Sequence, residues 1–435
     1  MDIKALTQRR ERLLGTQMPL FYEEPIHIVR GEGIHLFDAD GKQYVDMYNN
    51  VPCVGHANPR VVNAMQAQAS TLNVHSRYLH EGILDYAERL IGLHAESLSR
   101  AVFCCTGTEA SEIALRMARA ATGGRGIICT DATYHGNSTE VVRLSAASRD
   151  PAGNPEIRAI PYPQQYRSLD DNASEAELCA LYLANVRAAI DDLAANNIPM
   201  AGMMVCSLMV NEGLPDIPAG FMAGAAEMVR AAGGVFIADE VQAGFCRSGH
   251  WWGYEESDFV PDIATMGKPM GAGLPLAGVV AREELVDAFR KRTRYFNTFA
   301  SSPLQAAVGM EVLNVIEDDD VRSNVNSVGN YLRTALDQLQ TDYEPMGDVR
   351  SHGLSIAIDW VTDRESKAPD TEGVNRVIDR LKGKGFLMGS GGSLRNALKI
   401  RPPLIFSKEN ADAFLTAFRE TLQEFYGSAG RYLSR

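Results

Sequence analysis

From about Asn58 to Ile316, short apolar runs alternate with amphipathic stretches. Gly126–Ile127–Ile128–Cys129–Thr130, Met203–Met204–Val205, Gly234–Val235–Phe236–Ile237–Ala238 and Leu276–Ala277–Gly278–Val279–Val280 are short enough to be buried strands. Their alternation with helical stretches predicts a parallel, wound sheet. Ala110 to Ala121 predicts a helix, as do residues 168–196, a run from about Pro303, and a final amphipathic stretch from about Lys408 to Phe425. Gly33 to Asp46 reads as a hairpin that turns at Asp38–Ala39–Asp40–Gly41. Leu354–Ser355–Ile356–Ala357–Ile358 reads as a strand of a C-terminal unit, residues 1–30 lack a clear period, and Ala146 to Ile157 reads as loop. The expected fold class is α/β. A large domain with a mainly parallel wound sheet spans residues 58–316, and a small α+β domain is built from both chain ends, 1–57 and 317–435.

The composition narrows the partners. The chain has 435 residues, 45% hydrophobic and 22% charged, which is ordinary globular material able to bury a large core. A net charge of −13 argues against nucleic acid and against anionic membrane surfaces, though not against a small anionic substrate. The seven cysteines show no C-x-x-C pair, a usage that suits a reducing compartment. Met1 to Arg12 is charged and has no apolar centre, and no run approaches the roughly 20 apolar residues of a membrane helix. These features lead to the expectation of a cytoplasmic enzyme.

Candidate chemistry sits at strand ends. Asp239 ends one apolar run, and Lys268 follows the next in Ala264–Thr265–Met266–Gly267–Lys268. The carboxyl ends of parallel strands are where α/β proteins put ligands. An amine and a carboxylate together there are what pyridoxal phosphate needs, one to carry it and one for its pyridinium nitrogen. The competing reading makes Asp239 a helix cap and Lys268 a solvated lysine. Upstream, Phe103–Cys104–Cys105–Thr106–Gly107–Thr108 runs from a strand into a helix, a start that can bind phosphate through free N–H groups. Tyr134 follows another strand and can stack on a flat ring or simply pack.

Taken in order, the strings CCTGTEA, ATYHGN, FIADEVQAGFCRSG, DIATMGK and FNTFASSP resemble the class III aminotransferases, fold-type I pyridoxal-phosphate enzymes. The resemblance runs from about Gly31 to about Leu422. It implies that Lys268 carries the cofactor, Asp239 pairs with its ring nitrogen, Gln242 contacts the ring hydroxyl and Val241 packs beneath the ring. It implies further that Gly107 and Thr108 hold the phosphate and Tyr134 covers the other face. Thr298 is implied to reach the phosphate of a neighbouring subunit, so the expected state is a homodimer or a dimer of dimers.

Arg401, in Leu398–Lys399–Ile400–Arg401–Pro402–Pro403, is the best candidate clamp for a substrate anion, because its planar fork suits carboxylate and phosphate. Many aminotransferases of the family have a glutamate that gates this arginine where Asn211 stands here, and Glu212 falls one place out of register. Without that gate, Arg401 is expected to stay free for an anion, which suits a one-substrate reaction. The strings around Tyr48–Asn49–Asn50 and Arg77–Tyr78–Leu79–His80 look like the branch containing ethanolamine-phosphate phospho-lyase. Tyr48 and Arg77 are the further candidate substrate contacts, with a salt bridge at a subunit interface as the other reading of Arg77. His135 reads as an orienting residue near the cofactor or a structural hydrogen-bonder. His56 and His75 lack metal-ligand spacing, so no metal is expected. The expected activity is elimination of ammonia and a β-substituent from a short primary amine bearing phosphate or phosphonate. An ω-aminotransferase is the main rival, and a catalytically silent binding protein of the same fold the lesser one.

Overall fold

The computed structural model describes residues 2–145, 154–257 and 259–427. Its central sheet has seven strands in the order Arg100–Cys104, Ala277–Ala281, Ile263–Met266, Val235–Asp239, Met200–Cys206, Gly126–Thr130 and Ile157–Ile160. Ala277–Ala281 runs antiparallel to both of its neighbours, and every other adjacent pair is parallel. Successive side chains serve opposite faces. Val235 and Ile237 join one hydrophobic cluster, whereas Phe236 and Ala238 join the other. Helices Gly107–Thr122 and Glu283–Arg292 cover the first face, and Glu175–Ala195 and Phe221–Ala231 cover the second. Burial on both faces is why these strands read as unbroken apolar runs rather than as alternating ones.

The two chain ends meet in a four-stranded sheet, where Gln43–Asp46 pairs in parallel with Phe386–Leu387. A second antiparallel sheet contains Met346–His352, Ser355–Asp363, Ala397–Ile400 and Gly389–Gly391. It carries Arg401 just past its third strand, and the Arg401 N–H donates to the Met47 carbonyl at 2.8 Å. This bond ties the C-terminal sheet to the segment that contains Tyr48.

Three local expectations are corrected. The helix expected from residue 168 begins at Glu175, because Ser174 and Glu177 form a capping box there. The preceding residues turn on Ser168 to Asp171 and Asn172 to Asp170 hydrogen bonds. Residues 1–30 contain a helix, Ile3–Leu14, which buries none of its residues and so carries little apolar periodicity. The expected loop 146–157 lies partly outside the described residues, and its last residue, Ile157, already begins a strand. No helix among the described residues is long and apolar enough to cross a membrane.

Candidate active site

The carboxyl ends of the strands converge on one edge of the central sheet. Asp239 closes its strand beside Cys206, Lys268 lies two residues past Met266, and the Thr106–Gly107 turn follows Cys104. A cavity of about 230 Å³ opens there. Gly107, Thr108, Tyr134, Val241, Gln242 and Lys268 line it, as do Asp239 and His135. Of the eight residues expected around the cofactor, the structure therefore gathers all but Thr298. Thr298 is exposed and does not line the cavity, and neither does exposed Arg77, whose guanidinium lies 4.0 Å over the Phe296 ring. A larger cavity, about 550 Å³ between Gln165, Asp216, Met222 and His352, contains no lysine.

Tight packing shapes the wall. A Cβ on Gly107 would come within 2.9 Å of Val241, and one on Gly136, whose φ is +144°, within 2.7 Å of Thr108. Only glycine lets the helix start and the Tyr134 loop approach this closely. Thr106 caps the helix Gly107–Thr122 through a capping box with Glu109. The first intrahelical bond is Ala110 N–H to the Thr106 carbonyl, so the amides of Gly107 and Thr108 precede it. That leaves donors and a positive helix end for an anion.

Asp239 is buried, and its oxygens are occupied by fixed donors. Oδ2 is 2.6 Å from His135 Nδ1, while Oδ1 accepts from Val241 N–H at 2.9 Å and from Thr265 Oγ1 at 3.4 Å. Lys268 presents its side chain to the open cavity, yet the surrounding protein mass lowers its proton affinity. Desolvation is the larger cause, partly opposed by Asp239, and the charge of Arg401 adds to the lowering. An amine, a buried carboxylate with a polarising partner, an aromatic wall and a helix start together fit pyridoxal phosphate.

Arg401 is buried and is not free, contrary to the expectation drawn from the missing glutamate. Its Nη1 donates to Gln242 Oε1 at 2.8 Å, and its guanidinium carbon sits 4.8 Å from the Tyr48 ring centroid. Among the described residues no carboxylate pairs with it. Glu212 is engaged elsewhere, accepting from Thr130 Oγ1 at 2.6 Å. Asn211 Nδ2 donates to the Tyr134 carbonyl at 3.0 Å.

Sequence reasoning missed Glu240, Thr265 and Cys206. Glu240 is fully buried and accepts from Ser207 Oγ at 2.5 Å and from the N–H groups of Gly253 and Tyr254 at 2.7 and 2.9 Å. It anchors the turn that follows Asp239. Burial pushes its carboxyl up to about 7, against the pull of those three donors. Its adjacency to Asp239 within the recognised string was the available signal. Thr265 faces Asp239 across the sheet, a pairing set by strand register.

The comparisons agree with this geometry. The profile of the family described as "Aminotransferase class-III" matches residues 21–422. The chain is 36% identical over 423 residues to an "Alanine--glyoxylate aminotransferase 2-like" protein of Drosophila melanogaster, covering 95% of this chain and 86% of that one. It is 32% identical to "Ethanolamine-phosphate phospho-lyase homolog 1" of Caenorhabditis elegans, covering 96% and 93%. A solved phospholyase from Arthrobacter, in complex with phosphoethanolamine, superposes with a TM-score of 0.92 at 38% identity, covering 96% of this chain and 99% of that one. An ω-transaminase mutant from Pseudomonas jessenii shares the fold, with a TM-score of 0.87 at 22% identity over 97% and 99% of the two chains. The chain belongs to the class III aminotransferase family and is a pyridoxal-phosphate-dependent enzyme of that fold.

Proposed function

We propose that this enzyme is a lyase that releases ammonia and a β-substituent from a short primary amine carrying phosphate or phosphonate. The observation that carries the reading is Arg401, a buried guanidinium that no carboxylate contacts among the described residues, with Asp46 acting on it only at a distance, one hydrogen bond from the wall of the Lys268–Asp239 cavity. A buried cation without a contacting counter-ion is costly unless an anion arrives to pair with it. Likeness to the Arthrobacter phospholyase supports an anionic amine as that partner.

In this reading Lys268 would hold the cofactor, Asp239 its ring nitrogen, and Gly107 and Thr108 its phosphate. Val241, Tyr134 and Gln242 would enclose the ring, and Thr298 would arrive from a second copy in a homodimer. When bound, the cofactor supplies an electron sink for the carbon that bears the substrate nitrogen. Arg401 binds the anionic end and Tyr48 walls its guanidinium, while Arg77, outside this cavity, would reach the anion only from a second copy. The Lys268 amine, freed when the substrate amine takes its place on the cofactor and eased toward its neutral form by burial, would take the proton from the carbon bearing nitrogen. The bond from the neighbouring carbon to the leaving group then breaks, its electron pair departing with that group. Water adds to the resulting enamine to give a carbonyl compound and ammonia. The seven cysteines show no C-x-x-C pair, which suits a reducing compartment, and we place the enzyme in the cytoplasm.

A second reading, amine transfer to a keto acid, is favoured by the identity to the Drosophila aminotransferase-like protein. It uses the same lysine and acid. The deciding experiment incubates the holoenzyme with amino phosphates, hydroxy-aminophosphonates and plain amino acids, with and without pyruvate or 2-oxoglutarate. Ammonia release from a phosphorylated or phosphonated amine without keto acid is the expected result. Transfer that depends on keto acid, with no ammonia from any such amine, selects the aminotransferase. No turnover of any kind selects the silent fold.

A further inference from the structure

Three arginines are buried among the described residues, and they are treated differently. Arg350 meets Asp348 at 2.6 Å and Asp359 at 3.4 Å. Arg247 spends Nη1 on the carbonyls of Leu354 and Pro402 at 3.0 and 2.6 Å, a structural tie. Arg401 has neither a carboxylate among the described residues nor a pair of carbonyls. Its Nη1 meets a neutral carboxamide, Gln242 Oε1, the Tyr48 hydroxyl shares a hydrogen bond with the guanidinium, and its buried Nε has no partner. The far end of that carboxamide is loosely held, with Gln242 Nε2 at 3.4 Å from Asn211 Oδ1. The Gln242 backbone, by contrast, receives Asn50 Nδ2 at 3.4 Å.

We infer that Gln242 is a neutral placeholder on Arg401, which an incoming dianion displaces, and that this side chain sets the preference of the site for doubly charged head groups. This rests on the reading of Arg401 as the substrate-anion contact. The physical argument is one of competition. A guanidinium bonded to a carboxylate would make an arriving anion displace a full ion pair, whereas an amide without net charge yields more readily. A dianionic oxygen cluster can meet several of the five guanidinium N–H groups at once, so the exchange favours it. The placeholder also keeps one guanidinium donor satisfied while the site is empty, in a place too buried for bulk water to do so. On departure of the anion, the carboxamide closes again. A single carboxylate offers less charge, and the exchange favours it less.

The probe is inorganic sulfate, a dianion across the whole working pH range, titrated into holoenzyme by calorimetry. Gln242→Glu puts a competing carboxylate on Arg401 and should weaken sulfate binding by about tenfold or more. Gln242→Met removes the competitor at similar length and should bind sulfate as tightly as the parent or more tightly. A merely structural role for Gln242 would weaken both variants alike. Equal weakening, no change in Gln242→Glu, or absence of sulfate binding by the parent each overturns the inference. The Met variant alone remains decisive if the Glu variant does not fold, since weakened binding there also overturns it. Ammonia release is not part of this readout, so the lyase reading and the placeholder can fail separately.

Discussion

Nδ1 of His135 lies 2.6 Å from Oδ2 of Asp239, and Nε2 of the same ring lies 2.8 Å from Thr133 Oγ1. A carboxylate only accepts, so Nδ1 carries the hydrogen. With Val241 N–H and Thr265 Oγ1, His135 gives Asp239 three fixed donors. The carboxylate is thereby held in one orientation at the cavity wall, without rotating to meet its partner.

Asp239→Asn removes the charge while keeping the shape. Turnover should fall by roughly 10²-fold or more, the size of losing a preorganised electrostatic group, while substrate affinity changes far less. Steady-state kinetics separate the two effects. A variant with near-normal kcat would make Asp239 a structural cap.

Lys268→Ala should abolish turnover and leave the thermal transition of the apoprotein nearly unchanged, since this side chain faces the cavity rather than the core. Borohydride reduction of the holoenzyme should fix the label on the peptide containing Lys268, read by mass spectrometry. Label on another lysine rejects the assignment.

Arg401→Lys keeps the positive charge and loses the planar fork. Affinity for a phosphorylated amine should fall by about 1–3 kcal/mol, the scale of a charge-assisted hydrogen bond. Unchanged affinity would move the anion site away from Arg401.

Glu240 links stability to pH. Its carboxyl is raised from 4.5 to about 7 on folding, so between these values the folded protein binds the more protons. Its contribution is fully present below about 4.5 and is lost as pH rises through about 7, with a total on the order of 3 kcal/mol. Denaturant unfolding of the parent and of Glu240→Gln should show the parent losing relative stability across this window and a flat difference above it. A difference that is flat throughout would mean that the carboxylate stays ionised on its three donors.

Thr298 is exposed, and so are Leu79 and Phe299, at 99% and 76%. A dimer that brings a second copy's Thr298 to the cofactor phosphate should be tightened by cofactor, by mass action. Sedimentation of apo and holo forms tests this, and Thr298→Ala should weaken cofactor binding and dimer together. An active monomer would remove Thr298 from the site.

Much of the site was legible because it follows strand ends. Gly107, Tyr134, Asp239 and Lys268 each come just after an apolar run, and parallel strands deliver such residues to one edge. The runs themselves were readable because burial on both faces leaves them with few polar positions. The helix Ile3–Leu14 was not readable, since it buries nothing. The start at Glu175 depended on a local cap that hydrophobic periodicity does not register.

What the amino-acid order determined by itself was therefore most of the buried strands of the central sheet, the helix that follows the Thr106–Gly107 turn and the lysine–acid pair. Tertiary structure alone decided how the polar atoms are spent. His135 meets Asp239 across 104 positions of chain, and Arg401 meets Gln242 across 159. Such pairings depend on strand order and on the seating of the C-terminal sheet beside Met47, and no local period carries either. The same holds for Glu212, whose side chain turns to Thr130 because the fold leaves that hydroxyl beside it and gives Arg401 to a neutral amide instead.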